Sequence, residues 1–123
     1  MKPKQADILR HASTLFNREG YQPPSIERIA EHAGISKMTF YRYYADKEAL
    51  ILAILKQKES EFMQDLAQIT ADKASAREKL FAVFDYYHRW FTCETFHGCM
   101  FTRALFEYGA SSPAIREQCS RFK

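Results

Sequence analysis

Apolar residues recur every three or four positions along almost the whole chain, a spacing that places them on one face of an α-helix. Two clear stripes run from Ile8 to Phe16 and from Leu80 to Phe91. The pattern predicts seven helices, and no pair of segments alternates in the way that paired strands require. We therefore expect an all-α fold.

Glycines and short polar residues mark where these helices begin and end. Gly20 and Gly34 are predicted to end the first two helices, because glycine adopts the left-handed backbone of a helix C-cap at little cost. The fourth helix is the longest, since its apolar register extends from about Asp46 to Thr70. Side chains that can cap free N–H groups precede four of the predicted helices: Ser25, Ser36, Asp46 and Ser112.

The third predicted helix, about Lys37 to Tyr44, is rich in rings and basic groups. On a helical wheel, Phe40 and Tyr44 fall on the side that packs on the first two helices. No acidic residue occurs between His32 and Ala45. Arginine can bind O6 and N7 of guanine, apolar tips can meet a thymine methyl, and hydroxyls can bind phosphates. The opposite side holds such groups: Met38, Thr39, Arg42 and Tyr43, with Lys37 and Tyr41 on its shoulder.

A short helix, a glycine turn and another short helix over residues 25–44 have the layout of a helix-turn-helix. From the residues alone, the alternatives are a DNA-reading face and a packed amphipathic helix within a protein-interaction module. Lys47 favours the first, because it lies in the first turn of the fourth helix, where free N–H groups attract an anion such as phosphate.

The segment LFNREGYQPPSIERIAEHAGISKMTFYRYYADKEAL, Leu15 to Leu50, resembles the DNA-binding region of the TetR/AcrR family of transcriptional repressors. GCMFTRALFEYGASSPAIRE, Gly98 to Glu117, resembles the sixth and seventh helices of the same family. The resemblance implies a three-helix DNA-binding head at residues 1–46 and a C-terminal helical ligand-binding and dimerisation domain at residues 47–123, here truncated. It also implies a homodimer that binds a palindromic double-stranded DNA operator and releases it when a small-molecule inducer binds.

The resemblance further implies that Lys37 to Tyr43 form the recognition helix, and that Tyr41, Lys47 and Ser25 contact phosphates. Together with the wheel, it gives the expected DNA-binding set: Ser25, Ser36, Lys37, Met38, Thr39, Tyr41, Arg42, Tyr43 and Lys47.

Rings are frequent in the fourth to sixth predicted helices, and we expect most of them to be core. The alternative is a pocket for an apolar or aromatic inducer, in which Arg103 could hold an anionic group. The expected lining of such a pocket is Phe62, Phe84, His88, Phe91, Met100 and Arg103.

Composition narrows the remaining classes of protein. A net charge of +3 does not by itself indicate nucleic-acid binding, so that hypothesis depends on local arrangement. There is no apolar run of membrane-spanning length and no signal-peptide pattern, and the three cysteines are irregularly spaced. We therefore expect a cytoplasmic protein with no membrane partner.

Metal, redox and enzymatic hypotheses are weaker. The ligand types of His88, Cys93, His97 and Cys99 suit zinc, but their spacing is irregular, and nothing in the sequence lowers a thiol pKa. The Tyr43–Lys47 spacing occurs in short-chain dehydrogenases, but it lacks the glycine-rich nucleotide-binding turn here. We expect no catalytic site, no metal and no cofactor.

Overall fold

The computed structural model describes residues 3–122, and this range contains seven α-helices and no strand. The all-α prediction is confirmed. The helices are α1 (Pro3–Glu19), α2 (Ile26–Ala33), α3 (Lys37–Tyr43), α4 (Lys47–Ala71), α5 (Ala76–Phe91), α6 (Met100–Tyr108) and α7 (Pro113–Phe122).

The predicted helix boundaries follow local chemistry closely. Gly20 and Gly34 have φ of 88° and 71°, so both occupy the left-handed region, and both follow a helix end as predicted. Four side chains each accept a hydrogen bond from the backbone N–H three residues further on, at 2.8 to 3.2 Å, which confirms all four predicted caps: Ser25, Ser36, Asp46 and Ser112.

The helices form two compact units. The first comprises the residues up to Lys56 and those from His97 onward, and the second is Gln57–Phe96. The long helix α4 begins in the first unit and ends in the second. The predicted boundary between a DNA-binding head (residues 1–46) and a ligand-binding domain (residues 47–123) does not coincide with the division into these two units. That boundary stays a prediction.

The core of the first unit joins the three N-terminal helices to α6 and α7. Each fully buried Leu, Ile or Phe contributes about 1.5 to 3 kcal/mol of transfer free energy. The largest apolar side chains from α1 to α4 meet Phe101, Ala104, Ile115 and Cys119 from the last two helices. The head is therefore packed on α6 and α7 within a single core.

The turn after α1 is also tied to α6 by hydrogen bonds. The carboxylate of Glu107 accepts the backbone N–H of Tyr21 at 3.0 Å and that of Gln22 at 2.9 Å. The Tyr21 hydroxyl donates to the Met100 carbonyl at 2.8 Å, and burial raises the pKa of this phenol. We call the Glu107 carboxylate with the N–H groups of Tyr21 and Gln22 the Glu107 latch.

The second unit consists of the C-terminal part of α4, α5 and the following turn. The ring of Phe62 lies 5.8 Å from that of Tyr86 and 5.9 Å from that of Tyr87, centroid to centroid. The Tyr86 hydroxyl donates to Asp65 at 3.0 Å, and burial together with this carboxylate raises the pKa of Tyr86 to about 12. Ring contacts and one hydrogen bond thus join α4 to α5.

The expectation that most rings of the fourth to sixth helices are core was wrong. No residue of α5 is buried, and Phe84 and Phe91 are 64% and 54% exposed. Among those rings only Phe101, in the first unit, is buried. Helical periodicity identifies which side of a helix is apolar, but it carries no information on whether another element covers that side.

No helix among the described residues is long and apolar enough to cross a bilayer.

Candidate DNA-binding surface

A glycine-centred turn sets the angle between α2 and α3. The N–H of Gly34 donates to the Glu31 carbonyl at 3.1 Å, and the N–H of Ile35 donates to the Ala30 carbonyl at 2.9 Å. This pattern is a Schellman motif, which needs a left-handed residue at the position of Gly34. Ser36 then caps α3, so only three residues separate the end of α2 from the start of α3.

Two rings anchor α3 to the rest of the first unit. Phe40 and Tyr44 are buried, and their ring centroids lie 5.9 Å apart. The wheel prediction for these two residues is confirmed. Because burial of both rings fixes the rotation of this seven-residue helix about its axis, it also determines which side chains point outward.

The outward side chains of α3 are Met38, Tyr41 and Arg42, which we call the α3 outer face. Met38 is 73% and Tyr41 47% exposed, and Arg42 is exposed as well. The Arg42 guanidinium forms no ion pair with any residue between 3 and 122. A soft apolar tip, a phenol and a five-donor guanidinium are therefore presented together to solvent.

The surface around α3 is not free of acid, although no acidic residue lies between His32 and Ala45 in the sequence. The Lys37 ammonium lies 2.7 Å from the Glu27 carboxylate, which projects from α2. This hydrogen bond lowers the pKa of Glu27 and raises the pKa of Lys37. The interval is free of acid along the chain only, because Glu27 reaches Lys37 across the turn.

Lys47 is more enclosed than its position in the first turn of α4 suggested. Its ammonium donates to the Gln22 carbonyl at 3.0 Å and lies 5.7 Å from the centre of the Phe16 ring. Burial lowers the pKa of Lys47. A phosphate at this position would therefore meet an ammonium that already has one hydrogen-bond partner.

Two other members of the predicted set lie differently from the wheel prediction. Tyr43 is half-buried and packs against the core of the first unit, so it is not a fully outward side chain. Thr39 is also half-buried, and its hydroxyl lies 3.0 Å from that of Ser36. The wheel places a side chain by angle alone, and α3 is short enough for its last turn to meet the core.

The residues predicted to line an inducer pocket fall in both units. Phe62, Phe84, His88 and Phe91 belong to the second unit, and Met100 and Arg103 belong to the first. The Arg103 guanidinium donates to the backbone carbonyls of Asn17 at 2.6 Å and His97 at 3.0 Å. Arg103 thus has a structural role that the sequence did not indicate, and its ligand-binding role stays a prediction.

The thiol chemistry differs from expectation in one respect. Cys93 is exposed, and a hydrogen bond with Thr95 lowers its pKa, although no such influence was evident from the sequence. His88, Cys93, His97 and Cys99 do not form a metal-binding group, since residues 3–122 contain no cluster of three or more His, Cys, Asp or Glu arranged for an ion.

Residues 8–54, which hold the helix-turn-helix, match the family model described as bacterial regulatory proteins, tetR family. Residues 8–54 therefore form a DNA-binding domain of the TetR family. The family expected from the residues of Leu15 to Leu50 is confirmed, and with it the assignment of α2 and α3 to the helix-turn-helix of TetR-family proteins.

Curated relatives agree with this assignment. The chain is 30% identical over 79 residues to the fatty acid metabolism regulator protein of Bacillus subtilis, covering 64% of this chain and 41% of that protein. It is 36% identical over 90 residues to the HTH-type transcriptional regulator RutR of Escherichia coli, covering 68% of this chain and 42% of that protein. The chain thus spans about two fifths of the length of these relatives.

Solved structures share the fold over nearly the whole chain. SCO4454, a TetR-family transcriptional regulator from Streptomyces coelicolor, matches with a TM-score of 0.91 and 26% identity, covering 98% of this chain and 60% of that one. Reduced NemR from E. coli matches in fold with a TM-score of 0.88 at 20% identity, covering 98% of this chain and 64% of that one. Three of these four proteins are named as regulators, which agrees with the expectation of a non-enzymatic protein.

Proposed function

We propose that the protein is a ligand-responsive transcriptional repressor that binds a palindromic operator as a homodimer and is released by a small-molecule inducer. The α3 outer face carries the proposal: Met38, Tyr41 and Arg42 are exposed together on a helix that buried Phe40 and Tyr44 hold in one rotation. Membership of the TetR family supports the same function.

Each group on this face has a partner in the major groove of DNA. Arg42 can donate two hydrogen bonds to O6 and N7 of guanine, and Met38 can contact a thymine methyl. The Tyr41 hydroxyl can donate to a phosphate, as can those of Ser25 and Ser36 at the starts of α2 and α3. In a dimer, the two copies of α3 would enter successive major grooves about 34 to 36 Å apart.

Release by an inducer requires that ligand binding change the position or order of the heads. The ligand can do this only if it binds the released state more tightly than the DNA-bound state. The shared core and the Glu107 latch support a route through α6, because both connect α6 to the head within the first unit. The exposed rings Phe84 and Phe91 of α5 support an apolar or aromatic inducer.

Replacing Glu27 by glutamine is expected to strengthen DNA binding severalfold. The change frees the Lys37 ammonium from its carboxylate partner, so that Lys37 can neutralise a phosphate. The logarithm of the binding constant should also fall more steeply with the logarithm of salt concentration, by about 0.9 per added phosphate contact. Fluorescence anisotropy of a labelled duplex over a salt series measures both quantities.

The matched control is Glu31→Gln, which removes the same charge from the same helix. Glu31 is exposed and forms no ion pair within residues 3–122. An equal effect of the two substitutions would mean that net charge alone is responsible and that Lys37 does not reach a phosphate. Both partners of the Glu27–Lys37 pair are fully charged at pH values between the usual carboxyl pKa of 4.5 and the usual ammonium pKa of 10.5. The comparison is therefore made at neutral pH.

Selection of bound fragments from the source genome tests the proposed function directly. The product of the complete gene and the 123-residue chain are assayed side by side at moderate salt, where non-specific phosphate binding is weak. Enrichment of one palindromic site by the complete product supports the proposal. If neither protein enriches a site, the repressor function is wrong and the α3 outer face serves a different partner.

A further inference from the structure

His11 on α1 and His32 on α2 form a contact that the DNA-binding proposal does not use. Their Nδ1 atoms lie 2.8 Å apart, and their ring centroids are 4.9 Å apart with an angle of 69° between the planes. Both residues belong to the first unit, and His32 is exposed. A hydrogen bond between two such nitrogens requires one ring to carry its proton on Nδ1 and the other to offer a lone pair.

The same geometry brings two metal-ligating atoms together. Imidazole nitrogens bind divalent transition metals at about 2.0 to 2.1 Å. Two of them on one ion are therefore about 2.9 Å apart when the angle at the metal is a right angle, and about 3.3 Å apart in a tetrahedron. The observed 2.8 Å is close to the right-angled value.

We propose that His11 and His32 form a bidentate site for a divalent transition-metal ion, bound through Nδ1 of each ring in a cis arrangement. A separation near the right-angled value suits Cu²⁺ or Ni²⁺ better than tetrahedral Zn²⁺ once both rings turn to aim their lone pairs at one ion, and the imidazole donors disfavour Mg²⁺ and Ca²⁺. On binding, the ring that carries its proton on Nδ1 takes it on Nε2 instead by exchange with water. Both rings stay neutral, and each offers its Nδ1 lone pair to the ion.

Asp7 could supply a third ligand only after its side chain rotates, since it does not form a metal-binding group with the two histidines as they stand. Asp7 precedes His11 by four residues, so the two lie on the same face of α1. Its carboxylate accepts a hydrogen bond from Arg10 at 3.0 Å, and both side chains of this pair are more than half exposed. Exposed ion pairs contribute little to stability, so rotation of Asp7 towards the ion costs little. Water would occupy the remaining coordination positions of the ion, because His11 and His32 supply only two donor atoms.

Such an ion would join α1 to α2 inside the head. A ligand that binds only the folded state raises the melting temperature, and at about ten times its Kd the rise is roughly 5 °C for a domain of this size. The proposed site would therefore make the melting temperature of the head depend on the concentration of a transition-metal ion.

Titration of NiCl2 into the 123-residue chain, followed by calorimetry and by thermal unfolding, tests the site. The titration is done in a Cys93→Ser background, because the exposed Cys93 thiol is a competing soft ligand. We expect one equivalent of Ni²⁺ to bind, and the affinity to fall at least tenfold in both His11→Gln and His32→Gln. The matched control, His88→Gln, removes an exposed imidazole from α5 and should leave binding unchanged.

Absence of binding, full binding in His32→Gln, or an equal loss in His88→Gln would each overturn the proposal. If His11→Gln does not fold, paramagnetic broadening of the ring signals of the parent protein by substoichiometric CuSO4 gives the answer. Broadening of His11 and His32 before the other histidines supports the site, and earlier broadening of His88 or His97 refutes it.

Discussion

Replacing Arg42 by alanine is expected to lower affinity for the operator by roughly tenfold to a hundredfold, which corresponds to the loss of one bidentate contact to guanine. The melting temperature should not change, because the exposed guanidinium has no ion-pair partner among residues 3–122. Anisotropy at one salt concentration, with the selected operator and a scrambled duplex of the same length, measures both affinity and specificity.

The comparison of the two duplexes distinguishes base reading from phosphate binding. If Arg42 reads a base, its loss weakens the operator complex much more than the scrambled complex. Arg89→Ala is the matched control, since it removes the same side chain from an exposed position of α5. Equal weakening on both duplexes would assign Arg42 to a phosphate, and unchanged affinity would remove α3 from the DNA interface.

The parts of this surface that the sequence predicts correctly depend on short-range chemistry. Ser25 and Ser36 cap helices because a hydroxyl can accept an N–H three residues away, whatever the rest of the fold does. Gly34 ends α2 because it adopts a positive φ without strain. Phe40 and Tyr44 are buried together because Tyr44 follows the last residue of α3 and lies one turn after Phe40, to which its N–H is hydrogen-bonded.

The parts that the sequence does not predict depend on contacts between distant residues. Glu27 reaches Lys37 across a turn, and Glu107 reaches Tyr21 from 86 residues further along the chain. Neither carboxylate has a local pattern that distinguishes it from an acid exposed to solvent. The apolar face of α5 illustrates the same limit, because periodicity predicts the face but not its exposure.

Contacts of α6 change the picture of the head as an independent three-helix domain. Gln22 donates its N–H to Glu107 and accepts the Lys47 ammonium at its carbonyl, so one residue connects α6 to the start of α4. Arg103 adds a second connection, from α6 to the end of α1. Two side chains from the last third of the chain, Arg103 and Glu107, therefore bind the end of α1 and the turn that precedes α2.

Replacing Glu107 by alanine should lower the free energy of unfolding by about 2 to 3 kcal/mol, because it removes two charge-assisted hydrogen bonds and leaves the N–H of buried Tyr21 without its acceptor. For a chain of this size the melting temperature should fall by roughly 10 °C. Urea unfolding followed by circular dichroism gives the free energy, and a thermal scan gives the midpoint.

Two further substitutions separate the latch from a general effect of charge. Glu107→Gln retains one acceptor oxygen and should lose about half as much stability, whereas Glu117→Ala removes an exposed acid from α7 and should change it little. If Glu107→Ala is as stable as Glu117→Ala, water replaces the carboxylate at the two N–H groups. In that case α6 is held to the head by the shared core alone, and a proposed route from inducer to DNA must run through Phe101 and Ala104 rather than through the latch.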